Sequence, residues 1–309
     1  MLICAALSPS SYSGPLALKL SAPPSPARRA MKKLLCALGA VLAAGITAVL
    51  TANIAYADSI EELTVAHRGA STSKLAEGTL PAYKYAVKNR ADILDADVRW
   101  TKDGPDADTV GTMVLLHDAT LDRITNCKGS VSTRLWSDIS AKCRTDVGGQ
   151  PLMRLVDLLQ YGNSVGKSFA VEIKVSTITD AQAKQLWNAI KDSRVQLQAT
   201  SDRLAALNKI KRLDVADPKR KISYALITLG TNGWPSVSTI KKVGTAVHAK
   251  LSIPADVARS YHLANIKVYL FTARNETDDA KMIALHPYAV VVDDLAQFQS
   301  WRDAASGSV

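Results

Sequence analysis

Acidic residues are missing altogether from the first 57 positions, which carry five Lys and Arg. That stretch supplies half of the net charge of +10, so the 252 residues after it hold about +5. So mild a basic balance gives nucleic-acid binding little support; it suits a protein that meets phosphates or anionic surfaces equally well. Cysteine is scarce too, with four in 309 residues and only Cys127 and Cys143 beyond residue 57. Metal binding by that pair is disfavoured, because no third ligand lies near it in sequence. In an exported chain two cysteines this close are expected to be joined. A disulfide closing a loop of about 15 residues stabilises by roughly 3 kcal/mol in the chain-entropy picture.

What the N-terminal stretch does contain has the three parts of a secretory signal. Met31-Lys32-Lys33 is a basic start, Leu34 to Leu50 an apolar run, and Ala55-Tyr56-Ala57 a small-x-small cleavage site before Asp58. Cys36 stands at the front of the apolar run rather than after it, which argues against a lipid-modified cysteine. Residues 1–30 are rich in Ser, Pro and Ala without periodicity, so Met31 competes with Met1 as the true start. The expectation is a secreted, extracellular protein with residues 1–57 removed. Residues 58–309 would then form one domain, close in size to a typical eight-stranded barrel.

Beyond residue 57, strand-like and helix-like patterns alternate. Expected strands are Leu63 to Ala70, which ends in a polar tip and a Gly turn with His67 as its last inward residue, then Leu94 to Thr101, Ser168 to Lys174, Val195 to Thr200, Lys221 to Thr228, Thr245 to Leu251, Lys267 to Ala273 and Ala289 to Asp293. Expected helices are Pro81 to Lys88, Leu152 to Tyr161, Thr179 to Ser193, Ser201 to Leu213, Pro235 to Val243, Pro254 to Ala264 and Thr277 to Leu285. The clearest helix repeats Ala183, Leu186, Trp187 and Ile190 at i, i+3, i+4 and i+7. Residues 102–151 show few apolar periods and read as an excursion after strand 2, opening with a hairpin and containing the cysteine pair. The count favours an α/β fold of the (β/α)₈ TIM-barrel type. An open doubly wound sheet is disfavoured because no Gly-rich phosphate fingerprint follows the first strand.

The chemistry concentrates in Leu94 to Gly104 and its return through Val114 to Asp118. Side chains alternate along a strand, so Asp95 and Asp97 share a face. Two carboxylates there repel unless a cation lies between them, and Mg²⁺ or Ca²⁺ is the usual choice. After a Lys102-Asp103-Gly104 turn, a hairpin return brings His117 back to about the level of Asp97, a position suited to acid–base work. Taken alone, the stretch also fits a solvated surface hairpin. In a barrel, His67, Asp97 and Lys174 fall at the C-terminal strand ends where sites form, with Asp95 and Glu172 one inward step below. Asp293 and Asp294 end the last strand either at the mouth or as helix caps. His248, His262 and His286 have no motif around them and receive no role.

His67-Arg68-Gly69, Glu77-Gly78-Thr79, the Asp95-x-Asp97-Val98 to His117-Asp118 block with Arg123 after it, and Glu172-Ile173-Lys174 together resemble the glycerophosphodiester phosphodiesterase family. The resemblance implies a metal-dependent TIM-barrel enzyme that releases glycerol 3-phosphate and an alcohol. It implies His67 and His117 as the acid–base pair. Asp95, Asp97 and Glu172 would be ligands of Ca²⁺ or Mg²⁺, with Arg68 and Lys174 near the phosphate. Glu77 would support the site by orienting Arg68 or capping the next helix. The expected partner is a small glycerophosphodiester or a lysophospholipid, with no nucleic acid and no stable membrane anchor, the chain acting as a monomer. Three positions depart from the family pattern: Asp95 replaces Glu and reaches roughly 1.5 Å less, Gly78 replaces Asn, and Phe271 replaces Trp. The alternatives are a sphingomyelinase-D-like phospholipase and an inactive barrel that only binds phosphodiesters.

Overall fold

Alternation of small and branched apolar residues makes each strand two-faced, and a ring of such strands buries both faces. A computed structural model describes residues 62–102, 110–217 and 222–306, all within one compact unit, Ile60–Val309. Its strands are β1 (Leu63–Ala66), β2 (Ile93–Trp100), β3 (Met113–Leu115), β4 (Ser168–Ile173), β5 (Leu197–Ser201), β6 (Ser223–Thr228), β7 (Ala246–Lys250), β8 (Lys267–Ala273) and β9 (Ala289–Val292). The sheet runs β1-β9-β8-β7-β6-β5-β4-β2-β3 and closes through a β1–β2 pairing, Val65 opposite Ile93 and Ala66 opposite Leu94. Apart from β3, every pairing is parallel, so eight strands form a (β/α)₈ barrel. Residues of one parity, among them Val65, Ile93, Ala170, Ala225, Tyr269 and Val291, fill the ring. Leu94, Val171 and Val290 carry the other parity and pack outward against Tyr83, Leu158 and Leu186 of the helices. Among the described residues no helix is long and apolar enough to cross a membrane.

Strand β3 runs antiparallel to β2, with Val98 opposite Leu115 and Trp100 opposite Met113. It opens the expected excursion; the turn at Asp103-Gly104 and the proposed signal, residues 1–57, lie outside the described residues. The excursion has a minor core of its own, in which Leu121, Val131, Ile139 and Leu152 pack under Val114 and Leu116. Cys127 and Cys143 are disulfide-bonded within it.

Several boundaries differ from the sequence pattern for identifiable reasons. The first strand stops at Ala66, because the chain turns through the 3₁₀ segment His67–Gly69 with positive φ at Arg68, Gly69 and Ala70. A Cβ on Gly69 would lie 2.8 Å from the Tyr83 ring, so only glycine lets the following helix, Leu80–Lys88, pack this closely. The helix expected from Leu152 begins at Leu155, since the carbonyl of Met153 accepts a bond from the Leu115 amide at the edge of β3. The helix Leu295–Ser306 was absent from the pattern. Its register is set by Leu295 and Phe298, both in the main core, and by Asp294, which accepts a hydrogen bond from the Gln297 amide.

Candidate active site

Parallel strands deliver their C-terminal ends to one mouth, and the expected polar residues meet there. His67, Arg68, Asp95, His117, Glu172 and Lys174 line a single cavity of about 330 Å³. Asp97, Arg68, Glu77 and His117 line a crevice beside it. Asp97 and Glu172 are register partners across β2 and β4, so the acids form a row on neighbouring strands. A larger cavity of about 410 Å³ at the opposite mouth contains none of these residues.

His67 and His117 are each held by a carboxylate. His67 Nδ1 lies 2.5 Å from Asp293 Oδ1, and His117 Nδ1 lies 2.6 Å from Asp118 Oδ1. Arg99 donates two hydrogen bonds to the His117 carbonyl, which fixes the backbone of that residue. With both Nδ1 atoms occupied, Nε2 is the nitrogen each ring offers to a ligand. The ordinary histidine pKa is displaced in opposite directions. Burial depresses His67, but the bond to Asp293 and the charge of Asp95 outweigh it, and the net shift is upward. For His117 burial prevails over the bond to Asp118, and its pKa falls.

An arginine–carboxylate chain runs behind the pair. Arg123 donates to Asp118 and, through both terminal nitrogens, to Glu77; Arg68 donates to the same Glu77 at 3.1 Å. Glu77 therefore orients Arg68, as one of its two expected roles, and does not cap the helix at Leu80. Arg68 Nε approaches Asp97 Oδ2 at 2.9 Å, yet neither atom has hydrogen-bond geometry with any partner. That contact is Coulombic rather than directed.

The three acids are strained by one another. Burial, then the charge of Asp97, pushes Asp95 up to about 6 and Glu172 up to about 8. Their present partners are the Arg68 backbone amide, which donates to Asp95, the Arg68 guanidinium beside Asp97, and Lys174, whose Nζ is 2.8 Å from Glu172. Among the described residues no three His, Cys, Asp or Glu converge as a ready metal cluster. The donor set nevertheless fits a hard divalent ion: three carboxylates, one with a buried oxygen that has no hydrogen bond.

Four residues named in the sequence gain a settled contact only in the structure. Asp118 was visible only as half of a His-Asp pair, and Arg123 only as a residue following it. Asp293 and Asp294 divide the two roles weighed for them: Asp293 holds His67, while Asp294 caps the last helix and accepts from Tyr85.

The model of the Glycerophosphoryl diester phosphodiesterase family matches residues 67–297. A glycerophosphodiester phosphodiesterase of Bacillus subtilis is 38% identical over 94 residues, 30% of this chain and 29% of that protein. One from Caldanaerobacter subterraneus is 24% identical over 245 residues, 76% of this chain and 95% of that protein. An Oleispira antarctica phosphodiesterase, solved with the product sn-glycerol-3-phosphate, superposes with a TM-score of 0.67 at 18% identity, covering 80% of this chain and 99% of that one. A Thermotoga maritima glycerophosphodiester phosphodiesterase gives 0.62 at 20% identity, covering 78% and 98%. At these identities the structural likeness speaks for the barrel.

Proposed function

Since the chain belongs to the glycerophosphoryl diester phosphodiesterase family, a family of phosphoric diester hydrolases, we propose that it hydrolyses glycerophosphodiesters to glycerol 3-phosphate and an alcohol, outside the cell and with a divalent metal. The observation that carries this reading is the pair of carboxylate-held imidazoles facing the same cavity as Arg68, Lys174 and the acid row.

Phosphodiester cleavage builds charge on the non-bridging oxygens and on the departing alkoxide. Asp95, Asp97 and Glu172 would hold Ca²⁺ or Mg²⁺, which when bound supplies Lewis-acid stabilisation of the phosphoryl oxygens. Arg68 and Lys174 bind the diester's negative charge and orient it. His117, whose pKa is depressed, is neutral near pH 7 and takes a proton from the attacking oxygen at Nε2. His67, whose pKa is raised, keeps its proton and gives it to the departing oxygen. Asp293 and Asp118 hold the rings in the tautomer those transfers need.

Turnover of glycerophosphocholine, followed as released glycerol 3-phosphate, is expected to vanish in excess chelator and return with Ca²⁺ or Mg²⁺. The added ion should also raise the melting temperature by several degrees, because it binds only the folded chain, and Asp97→Asn should abolish that rise. Undiminished turnover in chelator would refute the metal. Export has its own check: mass spectrometry of protein from the culture medium should find Asp58 as the first residue. A chain recovered only inside cells and starting at Met1 or Met31 would remove that part of the proposal.

A further inference from the structure

One buried histidine at this mouth takes no part in the chemistry above. His248, on β7, is 5% exposed, yet it lines the same cavity as His67, His117 and Lys174. Its ring is locked by two contacts. It stacks on Tyr269, its register partner on β8, with centroids 4.4 Å apart and planes 10° from parallel. Its Nε2 lies 2.6 Å from Oε1 of Gln198. A carboxamide oxygen only accepts, so the Nε2 carries the proton and Nδ1 is left with a lone pair. Nδ1 has no hydrogen bond to the described residues, and it is not among the polar atoms sealed in the interior without partners. Burial pushes this imidazole down to about 3, so it stays neutral.

A fixed, neutral acceptor beside a phosphodiester can pair with only part of it. The ionised phosphate carries acceptors alone and is repelled by a lone pair; it belongs with Arg68 and Lys174. Donors on the ligand are hydroxyls of its alcohol arms. The released alcohol varies, and some, such as choline, have no donor left once esterified. The glycerol arm always has two. The same cavity is lined by Ile227, the register partner of His248 on β6, and by Phe271 and Val291, apolar surface suited to the carbon backbone of a small polyol.

Resting on the reading of the cavity as a phosphodiesterase site, we propose that His248 is a specificity-determining substrate-binding residue whose Nδ1 accepts a hydrogen bond from a hydroxyl of the glycerol arm. Gln198 and Tyr269 are then positioning residues that hold the ring.

Calorimetric titration of the full chain with glycerol 3-phosphate and with propyl phosphate, the same ester without its hydroxyls, tests this without turnover. Wild type should prefer glycerol 3-phosphate by on the order of tenfold, the worth of one well-placed hydrogen bond. His248→Leu should erase the preference while leaving propyl phosphate affinity unchanged, and His248→Gln, which keeps an acceptor, should retain part of it. Equal wild-type affinities for the two esters overturn the inference, as does an undiminished preference in a folded His248→Leu. If His248→Leu does not fold, the wild-type comparison and His248→Gln still decide. Failure of both esters to bind and of wild type to cleave any glycerophosphodiester would instead strike at the phosphodiesterase reading itself.

Discussion

Alanine in place of His67 or His117 is expected to lower kcat/KM on a glycerophosphodiester by roughly 10²–10⁴-fold, the usual worth of a positioned acid or base. Both side chains are partly solvent-exposed, and the carboxylates they leave, Asp293 and Asp118, are exposed enough for water to satisfy. Melting temperatures should therefore move little. Activity within tenfold of wild type in both variants would mean that neither imidazole carries a proton in the reaction. The opposite displacements of the two pKa values give the pH profile a direction. kcat/KM should rise as His117 loses its proton, below the ordinary histidine value, and fall as His67 loses its own, above it. A bound cation lowers both values, so both limbs lie at lower pH in the metal-loaded enzyme. Asp293→Asn removes the support that raises His67, so the alkaline limb should shift to lower pH while the acid limb stays. A profile whose alkaline limb ignores this substitution would separate Asp293 from the chemistry.

The second large effect is on folding. Gly244 joins the helix Val237–Val243 to β7, and a Cβ built there would fall 2.0 Å from the carbonyl oxygen of Tyr224. Its φ of −163° is extended backbone, open to any residue, so space alone requires glycine here. The obstacle is main chain of β6, which cannot swing aside. Gly244→Ala is expected to cost about 3 kcal/mol or more, a fall in melting temperature of about 10 °C for a domain this size. Gly166→Ala is the contrast. Gly166 is left-handed at φ 68°, but nothing lies within 4 Å of its Cβ position, so the cost is the conformational one alone, about 1 kcal/mol. Calorimetric or fluorescence melts showing equal losses for the two variants would rule out the close-approach account.

How much of this was legible in the sequence follows from the range of each interaction. The barrel strands announce themselves through short apolar runs between turn residues, and the helix Asp180–Lys191 through its 3.6-residue period. The row of Asp95, Asp97 and Glu172 was readable because parity on a strand is local and both strands are parallel. Glu77 was recognisable as support, but not the Arg123 that grips it, since that contact crosses 46 positions. His248 has no motif because its meaning lies in Gln198 and Tyr269 on other strands. The helix Leu295–Ser306 was missed because Leu295, Phe298 and Trp301 are its only large apolar residues and its register comes from tertiary packing. A Gly turn after His67 was legible, but not its positive φ at Arg68 and Ala70, which accompanies the packing of Gly69 on Tyr83.

His67 and Asp293 meet although 226 positions separate them. The first barrel strand and the last are neighbours only after the ring has shut. A chain stopped before its final strand could hold every other member of the constellation and still lack the anchor of one imidazole. On the proposed role of His67, hydrolytic competence waits for the ring to shut, and it doubles as a gauge that the whole circle has been completed.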